Sequence, residues 1–191
     1  MNQILAILLL VAACSTPTLA QQPLTVEAAE PEREANIDWM SWEEAIELSE
    51  TEPRKLLLYI HTSWCSWCKR MNTNTFDRPE VADYINASFY PVKFDAEQQQ
   101  QLEYKGQVYE FKKNSKHGYH ELAAELLKGR MSYPSVVFMD EKMEVIQSII
   151  GFKTRDEFMK ILAYFGENHY MKTPWSTFKK EYQPQLIKDR K

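Results

Sequence analysis

Two cysteines three positions apart, Cys65 and Cys68, follow directly on a short continuous apolar run, Leu56–Ile60. That run has the pattern of a buried strand. The polar pair Thr62-Ser63 follows, and Cys65 falls where a helix would begin. A cysteine at that point faces the unpaired N–H groups of the first helical turn, and the positive end of the helix dipole favours its thiolate. Cys68 lies on the same side of the turn and is within reach of a small disulfide with Cys65. Strand, tight loop, thiol at a helix start and second thiol one turn on form the layout of a dithiol–disulfide switch. A C-x-x-C pair also serves in zinc sites and in inert structural bridges. No second C-x-x-C is present to complete a four-cysteine zinc site.

The segment Trp64-Cys65-Ser66-Trp67-Cys68-Lys69 resembles the active site of the thioredoxin superfamily, in which a Trp precedes the first Cys and a Lys often follows the second. Thr75-Phe76, Pro79-Glu80-Val81 and Tyr90-Pro91-Val92 resemble its exported bacterial branch, which is similar to the C-terminal domain of the membrane thiol:disulfide interchange proteins. Met131-Ser132-Tyr133-Pro134-Ser135 stands where the superfamily carries its cis-proline. The likeness runs roughly from Ile37 to Gly166.

The resemblance implies an α/β thioredoxin fold with Cys65 and Cys68 as the catalytic pair. Cys65 would attack a substrate disulfide and Cys68 would resolve the mixed disulfide. It implies that Trp64, Trp67, Tyr133 and Pro134 meet the substrate: the indoles as apolar surface, the Tyr133 backbone as an edge for an extended segment. No cofactor and no metal are expected. The chain also departs from the family. Thioredoxins usually carry a buried Asp six residues before the first Cys, where this sequence has Tyr59. His61, Lys69 or water would then take over the proton transfer, with His61 equally readable as a loop-facing polar residue.

The 191 residues suggest one domain with appendages. A net charge of −4 gives no reason to expect nucleic acid or an anionic membrane surface as partner. Residues 1–20 read as an export signal, with an apolar stretch Ile4–Ala13 and small residues before Gln21. Val11-Ala12-Ala13-Cys14 competes as a lipobox, which would anchor the protein to a membrane through Cys14. Either way Cys65 and Cys68 are the thiols that remain. Residues 21–36 are polar, acidic and aperiodic, the composition of a flexible tether.

The thioredoxin-like domain is expected over 37–166. Ser41 and Glu44 make a capping box for a helix with Trp42, Ala45, Ile46 and Ser49 inward. Asn72–Thr75 reads as a break, Asp77 and Glu80 as a cap-like start around Pro79 of a helix to about Asn86, and Phe89–Phe94 as a strand in which Pro91 argues for an edge or strand-start position. Leu102–Lys112 suggests an inserted hairpin around Lys105-Gly106-Gln107. Tyr119, Leu122, Ala123, Leu126 and Leu127 repeat at helical spacing and stop at Gly129. Ser135–Met139 and Val145–Ile150 form a hairpin, and Thr154 with Glu157 caps a helix that ends at Gly166. A C-terminal helical extension over 167–191 would dock through Trp175, Phe178 and Tyr182. The order fits a mixed central sheet with helices on both faces. His117 and His120 read as a solvated helix start rather than as a metal pair.

Three function classes stay open on the sequence. The first is an exported thiol–disulfide oxidoreductase acting on protein disulfides or dithiols, with a membrane thiol donor as a further partner. The second is a thioredoxin-like binding module whose disulfide is structural. The third is a soft-metal carrier using Cys65, Cys68 and His61.

Overall fold

The computed structural model describes residues 35–114 and 117–182, all within one compact unit. The expected export signal, Cys14, nearly all of the expected tether and residues 183–191 of the expected extension lie outside the described residues. Among the described residues no helix is long and apolar enough to cross a membrane.

The centre is a four-stranded sheet in the order β2 (Tyr90–Asp95), β1 (Leu56–His61), β7 (Ser135–Met139), β8 (Val145–Ile150). β1 and β2 run parallel, from Leu56 opposite Tyr90 to His61 opposite Asp95. β7 is antiparallel to both β1 and β8, which makes the sheet mixed. The unbroken apolar run of β1 follows from this central position, because both of its faces are covered. Leu57 and Tyr59 join Val136 and Phe138 under α3 (Pro79–Ser88) and α5 (Arg155–Gly166). Leu56, Leu58 and Ile60 join Val92, Phe94, Val137 and Met139 under α1 (Trp42–Thr51) and α4 (Glu121–Leu126). Each fully buried Leu, Ile or Phe contributes about 1.5–3 kcal/mol of burial free energy. Register errors are therefore strongly disfavoured in this sheet.

The ends of the elements follow local rules. Ser41 caps α1 through the Glu44 N–H at 3.2 Å, and Glu44 reaches back to the Ser41 N–H at 2.7 Å. Thr154 caps α5 through the Glu157 N–H. β2 is an edge strand, which accommodates Pro91, and the Pro91 carbonyl accepts the Met40 N–H at 3.0 Å.

Five readings of the sequence change. The expected break at Asn72–Thr75 is a π-helical turn, Asn72–Phe76, that continues α2 (Ser66–Met71). Burial of Thr75 and Phe76, with the Thr75 hydroxyl donating to the Lys153 carbonyl at 2.6 Å, holds that turn together. The N-cap of α3 is Arg78, with no side-chain bond, rather than Asp77, and Pro79 opens the helix where the sequence put it. The insertion contains two hairpins. β3 (Leu102–Tyr104) and β4 (Gln107–Tyr109) turn at Lys105 and Gly106, whose φ values of 53° and 75° need the left-handed region. β5 (Phe111–Lys113) and β6 (Gly118–His120) form the second. Tyr119 belongs to β6, and α4 begins only at Glu121. His120 is not solvated: it is fully buried as the N-cap of α4.

Candidate active site

The strand β1 delivers the chain to one end of the sheet, where Cys65 becomes the N-cap of α2. Its Sγ accepts the Cys68 backbone N–H at 3.0 Å, and its carbonyl receives the Lys69 N–H at 3.2 Å, the first bond of the helix. A sulfur thus stands where a capping oxygen usually does. Cys65 and Cys68 form a disulfide, with Cα atoms 5.2 Å apart. Both are buried, at 5% and 3% exposure, so the place at the helix start does not leave the first sulfur open. The open surface belongs to the flanking indoles, Trp64 and Trp67, each 52% exposed.

Each indole is held differently. Trp64 donates its Nε1–H to Glu97 Oε2 at 3.0 Å, packs at 5.2 Å from the His117 ring, and meets Tyr133 edge-on at 6.0 Å. Trp67 packs against Phe152 at 5.7 Å, with the Arg70 guanidinium over both rings. The Tyr133-Pro134 bond is cis, as the resemblance implied. Burial, with Glu97 and Asp95 nearby, pushes the Tyr133 phenol up to about 12.

Tyr59 stands in the place of the usual acid. It is fully buried, and its hydroxyl donates to the Cys68 carbonyl oxygen at 3.2 Å. Burial raises its pKa, so it remains a neutral donor and accepts no proton from a thiol at neutral pH. His61 ends β1 half-buried, its ring stacked on Tyr59 at 5.3 Å. Burial lowers its pKa despite the opposing charge of Asp95, which keeps the imidazole neutral and able to accept a proton. Lys69 is exposed on α2. Both nitrogens of His120 are engaged, with the Gln100 carbonyl at 2.8 Å and the Leu122 N–H at 3.2 Å. Among the described residues no three His, Cys, Asp or Glu side chains cluster closely enough to hold a metal ion.

Glu97, Phe152 and Arg70 did not emerge from the sequence as site residues. For Glu97 a signal existed. Parallel pairing that ends at His61 opposite Asp95 makes both chains leave the sheet side by side. That sets Glu97, two residues on, beside Trp64, three residues on.

A family model described as Thioredox_DsbH, protein of unknown function (DUF255), matches residues 30–165. The chain belongs to the Thioredox_DsbH family. Among solved structures, a DsbH oxidoreductase superposes with a TM-score of 0.50 at 19% identity, covering 80% of this chain and 95% of that one. A thioredoxin from Thermus thermophilus gives 0.50 at 19% identity, over 78% and 98%. A candidate disulphide isomerase from Bacteroides thetaiotaomicron gives 0.50 at 25% identity, over 69% and 94%. Spermatogenesis-associated protein 20 of Rattus norvegicus is 30% identical over 63 residues, which are 32% of this chain and 8% of the rat protein. The match therefore spans a small part of that relative's length. This Thioredox_DsbH chain is a thioredoxin-superfamily protein with a mixed sheet, helices on both faces, a Cys65–Cys68 disulfide and a cis Tyr133-Pro134 bond.

Proposed function

We propose that this Thioredox_DsbH chain is an exported thiol–disulfide oxidoreductase whose reacting pair is Cys65 and Cys68. The observation that carries the reading is the Cys65 sulfur at the head of α2, accepting the Cys68 N–H at 3.0 Å between two exposed indoles. In the reduced protein that N–H and the helix start favour a Cys65 thiolate. The thiolate attacks one sulfur of a substrate disulfide, forms a mixed disulfide and releases the other sulfur as a thiolate, which takes a proton. Cys68, losing its proton to water or to neutral His61, attacks the Cys65 sulfur. The second substrate thiol leaves. Two electrons and two protons have moved to the substrate, and the Cys65–Cys68 disulfide is restored for reduction by a dithiol donor. The reverse sequence oxidises a substrate dithiol.

Trp64, Trp67 and Tyr133 supply the apolar surface for the substrate segment, and Pro134 sets the backbone beside it. The substrates in this reading are cysteine pairs of other exported proteins, and the donor is a membrane thiol protein. The apolar Ile4–Ala13 stretch supports export to the periplasm or beyond the cell, with lipid attachment at Cys14 as the second route. Mass determination of the mature N-terminus separates the two routes.

Insulin reduction driven by a dithiol tests the activity. The wild-type protein should accelerate precipitation of the insulin chains, while Cys65→Ser should not. An equal rate for both proteins sinks the proposal. The potential of the Cys65–Cys68 couple against glutathione then gives the direction. A value toward about −270 mV marks a reductant and one toward about −120 mV an oxidant.

A further inference from the structure

The insertion after β2 reaches Trp64, the residue before Cys65. The Ala96 N–H donates to the His61 carbonyl at 2.8 Å, and the His120 N–H donates to the Ala96 carbonyl at 2.7 Å. These two bonds tie the end of β1 to the chain after β2, and that chain to the β5–β6 hairpin. The hairpin thereby delivers His117 to the Trp64 ring. Glu97 bridges the two rings: one carboxylate oxygen accepts the Trp64 Nε1–H at 3.0 Å, and the other lies 3.3 Å from His117 Nδ1. The His117 ring closes the triangle by packing on the indole at 5.2 Å.

An indole half open to water would ordinarily sample several rotamers and lose that freedom when a substrate docks on it. Here a hydrogen bond and two ring contacts, from His117 and Tyr133, fix it beforehand. Trp67, equally exposed, is held by ring and cation contacts, to Phe152 and Arg70. The two walls beside the disulfide are therefore built differently, and the Trp64 wall depends on the insertion.

We infer that Glu97 and His117 are positioning residues, which hold Trp64 as a preformed wall for the disulfide-bearing segment of a protein substrate. The β5–β6 hairpin is then part of the substrate site. This rests on the oxidoreductase reading above. Removing either residue frees the indole, so the substrate must order it on binding. The loss falls on KM for a protein disulfide, with kcat held within about twofold. It amounts to about three- to tenfold, the ordering cost of one side chain.

The test combines kinetics with a signal that needs no turnover. The five tryptophans give five indole N–H resonances in nitrogen-15 correlation spectra, and Trp64→Phe assigns one of them. Glu97→Ala should move the Trp64 resonance upfield, as a hydrogen bond to a carboxylate is lost, and should raise KM for insulin. Glu97→Gln keeps an acceptor oxygen and should recover most of the KM. His117→Ala should move the same resonance and raise KM in the same direction. In a Trp64→Ala background, Glu97→Ala should add no further loss, because it acts through the indole. An unmoved Trp64 resonance, an unchanged KM, or losses that add to that of Trp64→Ala overturn the inference. A wild-type protein that exchanges no disulfide overturns the oxidoreductase reading instead. The resonance alone then decides whether Glu97 and His117 clamp Trp64.

Discussion

At the scale of single residues, the two cysteines are separated by one hydrogen bond more than by burial. Their exposures of 5% and 3% are nearly equal, so access does not set which one reacts. The Cys68 N–H aimed at Cys65 Sγ favours negative charge on Cys65. After reduction, a short iodoacetamide pulse near neutral pH should label Cys65 first by mass spectrometry, and preferential labelling of Cys68 would reverse the assigned roles. Cys68→Ser should accumulate mixed disulfides with partner proteins, and Cys65→Ser should not. His61 carries a pH signature. Its folded pKa lies below the ordinary imidazole value of 6.5, with burial as the main cause. Between the two values the unfolded chain binds more protons, so stability falls as pH drops through that window. His61→Gln should lose less thermal stability than wild type between about pH 7.5 and 5.5. Parallel melting curves for the two proteins would contradict that assignment.

At the scale of elements, caps and turns decide where each segment begins. The capping box of α1 spans three residues and needs no tertiary help. Ser41→Ala should lower stability by about 1 kcal/mol, read as a shift in urea midpoint. The Ser41 N–H, and then its hydroxyl, hold the Glu44 carboxyl below the usual carboxylate range. Its contribution is present above the unfolded pKa and disappears as pH falls through the folded one. The β5–β6 hairpin depends on a glycine. A Cβ on Gly118 would fall inside the Phe111 ring, so Gly118→Ala must push that ring off the strand pair. Faster amide exchange across Phe111–His120, with α5 unchanged, is the expected result; uniform protection across the hairpin would show that the ring moves at no cost.

At the scale of the whole molecule, the segment after α5 is built into the larger core. Phe178, on α6 (Trp175–Glu181), is 5% exposed in the same cluster as Phe158 and Phe165, and lies 5.0 Å from the Tyr164 ring. Phe178→Ala should cost about 3 kcal/mol, and a chain ending at Gly166 should melt lower than the full chain. Equal melting temperatures would make the extension an appendage. Much of the layout was legible in the sequence. Ser41 with Glu44, Thr154 with Glu157, and the run Leu56–Ile60 entering Cys65 are readable because a cap or a period involves residues within about four positions. The same holds for Cys65 at the head of α2. Other features rest on partners far along the chain. Trp64 meets Glu97 across 33 positions, and Thr75 bonds Lys153 across 78 positions. The π turn and the burial of His120 belong to that group. The sequence alone determined where the two sulfurs stand, since capping and dipole act locally. Only the tertiary structure decided what surrounds them, because parallel pairing of β1 and β2 must form before Glu97 and His117 have an indole to hold.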